Sequence, residues 1–262
     1  MPPTVYLLDD LGALDRETIE QALPALPPER RERAERCVHA GDRARIVAAW
    51  LLLAHGLRVG YGLPGVPPLA YGERGKPYFA QAAGNAAPLP HFSLSHSGQL
   101  VACALAPVDV GLDVQEVAGV ARHLSSGFVR RTCCSEEIAM LENAGPLGSL
   151  AFARAFCALW TRKESVMKLT GRGLAEPLPD LLGRHATDAV TETLPLGNPD
   201  ASPGSGFLSL SLWKTTAPLA REDGADCVAA PAARATTPVD SAAPLGSSFR
   251  LVRVSPGELL AQ

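Results

Sequence analysis

The sequence predicts an α+β fold of two similar lobes, residues 1–112 and 113–262, related by pseudo-two-fold symmetry. Each lobe is expected to be a long helix packed on a small, mostly antiparallel sheet. Two observations carry this. Each half holds a long helical stretch, a loop and then a run of strands: Arg43–Leu57 before Phe92–Gln115, and Ala151–Leu169 before Phe207–Val254. A chain of 262 residues, 47% hydrophobic and 19% charged, is globular in composition and long enough for two lobes.

Taken in order, Val5–Leu8 reads as a first strand. Pro27-Pro28 opens a charged helix, Glu29–His39, whose Arg30, Arg31, Arg33 and Arg36 read by default as a solvated face. Asp42 is placed to cap the next helix, where Ile46, Val47, Trp50, Leu53 and Ala54 form a buried stripe. Arg45 stands in its first turn, where a cation gains nothing from the helix dipole, and this points it toward a ligand anion. Tyr71–Tyr78 is turn chemistry around an exposed Lys76. Phe92–Gly98 and Gln99–Ala106 read as a strand, a polar turn and a second strand. Within the turn, Ser95 and His96 are either ordinary turn residues or a hydroxyl and imidazole suited to a phosphate.

Val110–Glu116 alternates, with Val110, Leu112 and Val114 on one side and Gly111, Asp113 and Gln115 on the other. Aspartate is disfavoured in strands, so Asp113 occupies either a wet edge or a ligand-bearing position. Residues 117–150 are polar and mixed, with a helix at Glu136–Glu142. Phe156–Leu169 is helical by period and stops at Gly171. Trp160, Glu164 and Lys168 follow one another at i, i+4 and i+8, so they share a face. That pattern is either a plain amphipathic helix with one Glu–Lys pair or a row of functional groups. Phe207–Lys214 is a clear strand, Asp226–Ala230 a weaker one, and 231–247 a mobile insertion. Phe249–Val254 closes the chain as a strand.

A net charge of −3 argues against a generally basic, nucleic-acid-coating surface, so any anion site is local. The N-terminus has no secretory character. The most apolar window, Ile46–Leu57, is too short to span a bilayer. Six cysteines without CxxC or Cys/His spacing indicate reduced thiols and a cytoplasmic protein. Two carboxylates, Asp113 and Glu164, with phosphate oxygens and waters suit Mg²⁺, which takes few protein ligands. Neither a GxxxxGK[ST] loop nor a helix-opening GxGxxG is present, which excludes P-loop and Rossmann nucleotide sites.

Together the pieces resemble the surfactin-type 4′-phosphopantetheinyl transferases. Ser93-Leu94-Ser95-His96-Ser97-Gly98 is similar to that family's serine-histidine turn, and Gly111-Leu112-Asp113-Val114-Gln115 to its Gly-Ile/Val-Asp-Ile/Val-Glu strand. Trp160-Thr161-Arg162-Lys163-Glu164-Ser165-Val166-Met167-Lys168 matches its Trp-x-x-Lys-Glu-x-x-x-Lys helix. Gly75-Lys76-Pro77 and the His39-x-x-Asp42-x-x-Arg45 helix start agree in order and spacing. The resemblance runs from about Arg33 to Leu178.

It implies a pseudo-dimeric monomer with coenzyme A, the substrate, between its lobes. Asp113 and Glu164 would hold Mg²⁺ (or Mn²⁺), with Gln115 a ligand directly or through water. Lys168 would bind phosphate oxygens and Glu164 would take the serine proton. Arg45, Lys76, Ser95 and His96 would meet the adenosine 3′-phosphate, with Lys163 beside them. The acceptor would be a serine of an apo acyl or peptidyl carrier protein, attracted by Arg130, Arg131 or the Arg30–Arg36 cluster. One departure is Gln115, where the family usually has a second carboxylate. Two rival readings remain: a Mg²⁺-dependent nucleotide or coenzyme A phosphohydrolase, and a non-catalytic module binding coenzyme A and carriers.

Overall fold

The computed structural model describes residues 2–80, 88–197, 205–213 and 249–260. The chain begins with β1 (Thr4–Leu8), α1 (Arg16–Ala22), α2 (Pro28–Glu35) and α3 (Ala40–Tyr61). A hairpin follows, β2 (Leu69–Tyr71) and β3 (Pro77–Phe79), then β4 (His91–Ser97), β5 (Leu100–Ala106) and β6 (Val110–Glu116). Three short helices, α4 (Val117–His123), α5 (Ser126–Thr132) and α6 (Ser135–Ala144), lead into α7 (Leu150–Thr170). The remainder is α8 (Leu181–His185), β7 (Ala189–Leu196), β8 (Gly206–Trp213), β9 (Arg250–Arg253) and α9 (Pro256–Leu260). The α+β class holds. The expected Asp226–Ala230 strand and the 231–247 insertion lie outside the described residues, as do Lys214 and Cys227.

Two sheets form the centre, one in the order β4-β5-β1-β9 and the other β6-β8-β7. All pairings in them are antiparallel except that of β1 with β9. Side-chain alternation stacks them. Val5 and Leu7 of β1 and Leu100, Ala102 and Ala104 of β5 share one core with Val110, Leu112 and Val114 of β6 and Leu208 and Leu210 of β8. The outward side chains of the first sheet, Tyr6, Leu8, Val101, Cys103 and Leu105, pack instead with α3. The layers are therefore α3, first sheet, second sheet, α7. Being covered on both faces explains why β1 and β5 read as unbroken apolar runs.

α3 starts at Ala40, three residues before the expected start, with His39 at the cap position; Asp42 lies in the first turn and caps nothing. Buried residues run consecutively from Ile46 to Leu53, because α1, α2 and α9 cover what the sheet leaves. β9, expected with the second lobe, lies parallel to β1 at the edge of the first sheet, and α9 packs on α3. In the stretch expected to hold one helix, α4 and α5 precede α6. The Ser125 hydroxyl caps α5 by accepting from the Phe128 amide, and Glu137 of α6 accepts from the Cys134 amide.

The sheets also meet edge to edge, through side chains. On the edge of β6 facing β4, the Leu112, Val114 and Glu116 amides donate to the hydroxyls of Ser93, Ser95 and Ser97 at 2.9, 3.1 and 3.1 Å. Three serines at alternate positions of β4 thus close an edge that would otherwise expose unpaired donors. On its other face β6 has no side chain at Gly111, and α7 lies directly on its backbone. A Cβ there would come within 1.9 Å of the Ser165 carbonyl oxygen.

Lys163 ties the far face of α7 to the short helices. Its amine is buried and donates to the Thr132 carbonyl at 2.6 Å, Glu137 Oε2 at 2.5 Å and the Leu178 carbonyl at 2.9 Å. Two substitutions test these supports by denaturant unfolding. Gly111→Ala is expected to lower stability by roughly 3 kcal/mol, because neither backbone can withdraw without unpacking α7. Lys163→Ala is expected to cost roughly 3–5 kcal/mol by leaving the Glu137 carboxylate unpaired in a half-dry site. A loss below about 1 kcal/mol in either variant contradicts the corresponding contact.

Candidate active site

The close approach at Gly111 fixes what lies one pleat further along β6. Asp113, on the same face, meets the last turns of α7. Its carboxylate is 5% exposed, and Oδ1 accepts from Lys168 Nζ at 2.7 Å and from the Ser95 hydroxyl at 2.7 Å. Oδ2 is buried and has no hydrogen-bond partner. Burial raises the Asp113 pKa, and the Lys168 charge and the Ser95 hydroxyl pull it back. Of the two readings of Asp113, the wet edge is ruled out: the serines of β4 cover that edge.

Glu164, one turn before Lys168 on α7, faces the same space. Desolvation and the Asp113 charge push its pKa up to about 7, against the pull of Lys168. Two carboxylates whose charges oppose one another, one with an unsatisfied oxygen, are a site short of positive charge. A divalent cation placed there would supply it. Among the described residues no group of three or more His, Cys, Asp or Glu side chains could hold a metal ion unaided. Two carboxylates with ligand oxygens and water fit Mg²⁺, which is bound in that manner.

Asp113, Glu164 and Lys168 open onto a cleft of about 700 Å³ that also reaches α2, α3, the β2–β3 hairpin and the end of β4. Trp160 lines it as well, its ring stacked on Phe156 at 6.0 Å, so the face predicted from the i, i+4, i+8 spacing is the face that meets the cleft. Gln115 lines the cleft too, and its amide nitrogen donates to the Ser97 hydroxyl at 2.7 Å. His96 stands exposed at the cleft wall. Desolvation on its inner side and the charges of Arg45, Lys168 and Arg33 hold its pKa down to about 4, so at neutral pH the ring is uncharged.

Other expected site residues are placed differently. Lys163 is a buried anchor on the far side of α7 and does not line the cleft. Successive helical residues are about 100° apart, so Lys163 cannot share the face of Glu164. Lys76 lines the cleft but is half-buried and not exposed. Its amine donates to the Leu169 carbonyl at 2.9 Å and reaches the Val110 carbonyl at 3.5 Å, and burial lowers its pKa. It thereby holds the end of α7 against the start of β6. Arg45 donates to the Gly98 carbonyl at 3.0 Å and pairs with Asp42, close enough for its charge to act on His96.

Two residues read as a solvated face belong to the site: Arg30 and Arg33 of α2 line the cleft. The Arg30 guanidinium lies 5.6 Å from the centre of the Trp50 ring, and its Nε is buried without a partner. The signal was available in the spacing, since both lie one turn apart on a helix next to Trp50. The cleft thus combines a carboxylate pair and a lysine with a group of arginines around a neutral histidine. Such a combination suits an anion with several phosphates, gripped at separate points.

No helix among the described residues is long and apolar enough to cross a membrane. Cys37, Cys103, Cys133, Cys134 and Cys157 are free thiols.

Comparison with known proteins places these features in a family. The model of the 4′-phosphopantetheinyl transferase superfamily matches residues 109–201, which carry Asp113, Glu164 and Lys168. A 4′-phosphopantetheinyl transferase of Bacillus subtilis is 30% identical over 196 residues, 74% of this chain and 81% of the relative. The transferase psf-1 of Bacillus pumilus is 31% identical, over 69% of this chain and 72% of its own. Sfp of Bacillus subtilis strain 168 is 28% identical, over 70% of this chain and 77% of its own. With this extent of similarity across both halves, the chain belongs to the 4′-phosphopantetheinyl transferase family.

Proposed function

We propose that this protein transfers the 4′-phosphopantetheine arm of coenzyme A to a serine hydroxyl of an apo carrier protein, releasing 3′,5′-ADP. The observation that carries the reading is the unpartnered, buried Oδ2 of Asp113 beside Glu164 and Lys168, at the floor of a cleft lined by arginines. Asp113 and Glu164 would hold Mg²⁺, with Gln115 contributing an amide oxygen directly or through a water and adding no charge. Bound there, the ion supplies charge neutralisation to the diphosphate.

The serine oxygen of the carrier attacks the phosphorus nearer the pantetheine. The bond to the bridging oxygen breaks, and 3′,5′-ADP leaves with that oxygen and its electron pair. Lys168 stabilises the negative charge that builds on the bridging oxygen. Glu164 takes the serine proton, directly or through one water. Arg30, Arg33 and His96 meet the adenosine 3′-phosphate, with Arg45 behind His96 adding field and Lys76 bracing the cleft wall.

We also propose that the two helix-on-sheet layers are related by a pseudo-two-fold axis, with residues 1–112 and 113–262 as the lobes of a cytoplasmic monomer. Supporting this are the similar lengths of α3 and α7, 22 and 21 residues, and their placement on the outer faces of the two sheets. The chain end is an exchange between lobes, since β9 joins the first sheet.

Mass spectrometry of an apo carrier protein incubated with coenzyme A, Mg²⁺ and this protein tests the activity. The carrier is expected to gain one phosphopantetheine on its serine, and the gain to vanish with EDTA. Lys168→Ala is expected to slow transfer by about a hundred-fold or more. Release of 3′,5′-ADP without a carrier would point to a phosphohydrolase instead, and undiminished transfer by Lys168→Ala would remove the proposed role of that lysine.

A further inference from the structure

Beside the cleft row of α7 runs a second row that meets the sheet. Cys157, Thr161 and Ser165 recur every four residues, about 6 Å along a helix, and face strand residues two apart, about 6.7 Å along a strand. Cys157 Sγ donates to the Gln115 carbonyl at 3.3 Å, and the Ser165 carbonyl lies over Gly111. Between them Thr161 meets Ser209 of β8, the residue paired with Asp113 of β6. Thr161 and Ser209 are both fully buried.

A hydroxyl has one proton to give, and a carbonyl can only accept. Thr161 gives its proton to the Ala158 carbonyl at 3.0 Å, so Ser209 donates to Thr161 at 2.9 Å, and Thr193 of β7 donates to Ser209 at 2.8 Å. A relay of fixed sense thus runs from β7 through β8 to α7, in the sheet row that holds Asp113. The row of Gly111 has its own relay, from Thr191 through Ser211 to Ser165 and on to the Arg162 carbonyl. The two rows differ in what else fixes the helix. At Gly111 the backbones of α7 and β6 touch, whatever side chain stands at position 165. At Asp113 the strand carries a side chain, and the Thr161–Ser209 bond spans helix and sheet.

We propose that Thr161 and Ser209 are positioning residues for the carboxylate pair. Asp113 is on β6 and Glu164 on α7, three residues after Thr161, so the separation of the carboxylates follows the separation of these layers at this row. The hydroxyl bond holds the two side chains at 2.9 Å, whereas a methyl carbon in place of the Thr161 oxygen needs about 3.5 Å or more. A displacement of about half an ångström is as much as a binding constellation tolerates. The inference rests on the proposal that Asp113 and Glu164 hold a cation.

Mn²⁺ titrated by electron paramagnetic resonance, with the protein saturated in coenzyme A, tests it without an activity assay. Calorimetry of 3′,5′-ADP in EDTA and the melting temperature accompany it. Thr161→Val is expected to weaken Mn²⁺ by about ten-fold, the lower end of what loss of a group supporting metal ligands costs. Thr161→Ser, which keeps the hydroxyl, is expected to bind Mn²⁺ within about two-fold of wild type. Ser165→Ala is expected to lower the melting temperature as Thr161→Val does, yet to keep Mn²⁺ within about two-fold. In all three, 3′,5′-ADP is expected to stay within about two-fold, because the arginines of α2 are not held by this relay. Should Thr161→Val fail to fold, Ser209→Ala removes the same bond from the strand and is expected to show the same Mn²⁺ loss. Unchanged Mn²⁺ affinity in the Thr161→Val or Ser209→Ala protein overturns the proposal. So does an equal loss in Thr161→Ser or Ser165→Ala, or a parallel loss of 3′,5′-ADP. Wild-type protein that binds coenzyme A but no Mn²⁺ would overturn the metal reading and this inference with it, a result distinct from the others.

Discussion

A carboxylate buried with one oxygen satisfied and the other bare is costly unless positive charge is close, and Asp113 is in that position. Lys168 supplies part of the charge from α7. The rest of the deficit is shared with Glu164, whose own proton affinity rises through desolvation and the nearby Asp113 charge. Such an arrangement would favour the ligand-bound protein over the free one, since a cation entering the gap would relieve two carboxylates at once. That trade is the common situation at catalytic sites, where local strain in charge is kept by a scaffold rigid enough to bear it.

The rigidity has identifiable sources. Gly111 lets the backbone of α7 rest on β6, which sets how far Lys168 and Glu164 stand from Asp113. Lys76 clamps the last turn of α7 by its Leu169 carbonyl, and Lys163 clamps the other face to α5 and α6. On the opposite edge of β6 the serines of β4 bind amide by amide. Thr161 and Ser165 of α7 also join Ser209 and Ser211 of β8 in buried hydroxyl pairs at 2.9 and 2.7 Å. Helix and sheets are thus fixed to one another by polar contacts where apolar ones would leave the strand amides and hydroxyls unsatisfied.

How much of this was legible in the sequence differs by residue. The i, i+4, i+8 spacing put Trp160, Glu164 and Lys168 on one face, and strand alternation set Gly111 and Asp113 together; both hold, because each depends only on local geometry. Lys163 shows the limit of reading a motif without its wheel, since a neighbour in sequence points about 100° away. Lys76 looked exposed because a turn is usually wet, but its partners are carbonyls distant in sequence. Arg30 looked solvated for a like reason, since what lies opposite a charged helix is set by tertiary packing; Arg33 is exposed as expected, yet lines the cleft too. The pairing of β9 with β1 joins the two ends of the chain, and no local signal encodes such a pairing. The edge-closing role of Ser93, Ser95 and Ser97 was likewise hidden, although three serines at alternate positions of a strand were in plain view.

The proposed transfer depends on a cation seated between Asp113 and Glu164. A crystal grown with coenzyme A and Mn²⁺, measured at the manganese absorption edge, locates the ion directly. One anomalous peak is expected within coordination distance of Asp113 Oδ2 and of Glu164, touching the diphosphate. A peak elsewhere, or bound coenzyme A with Asp113 Oδ2 still bare, would contradict it.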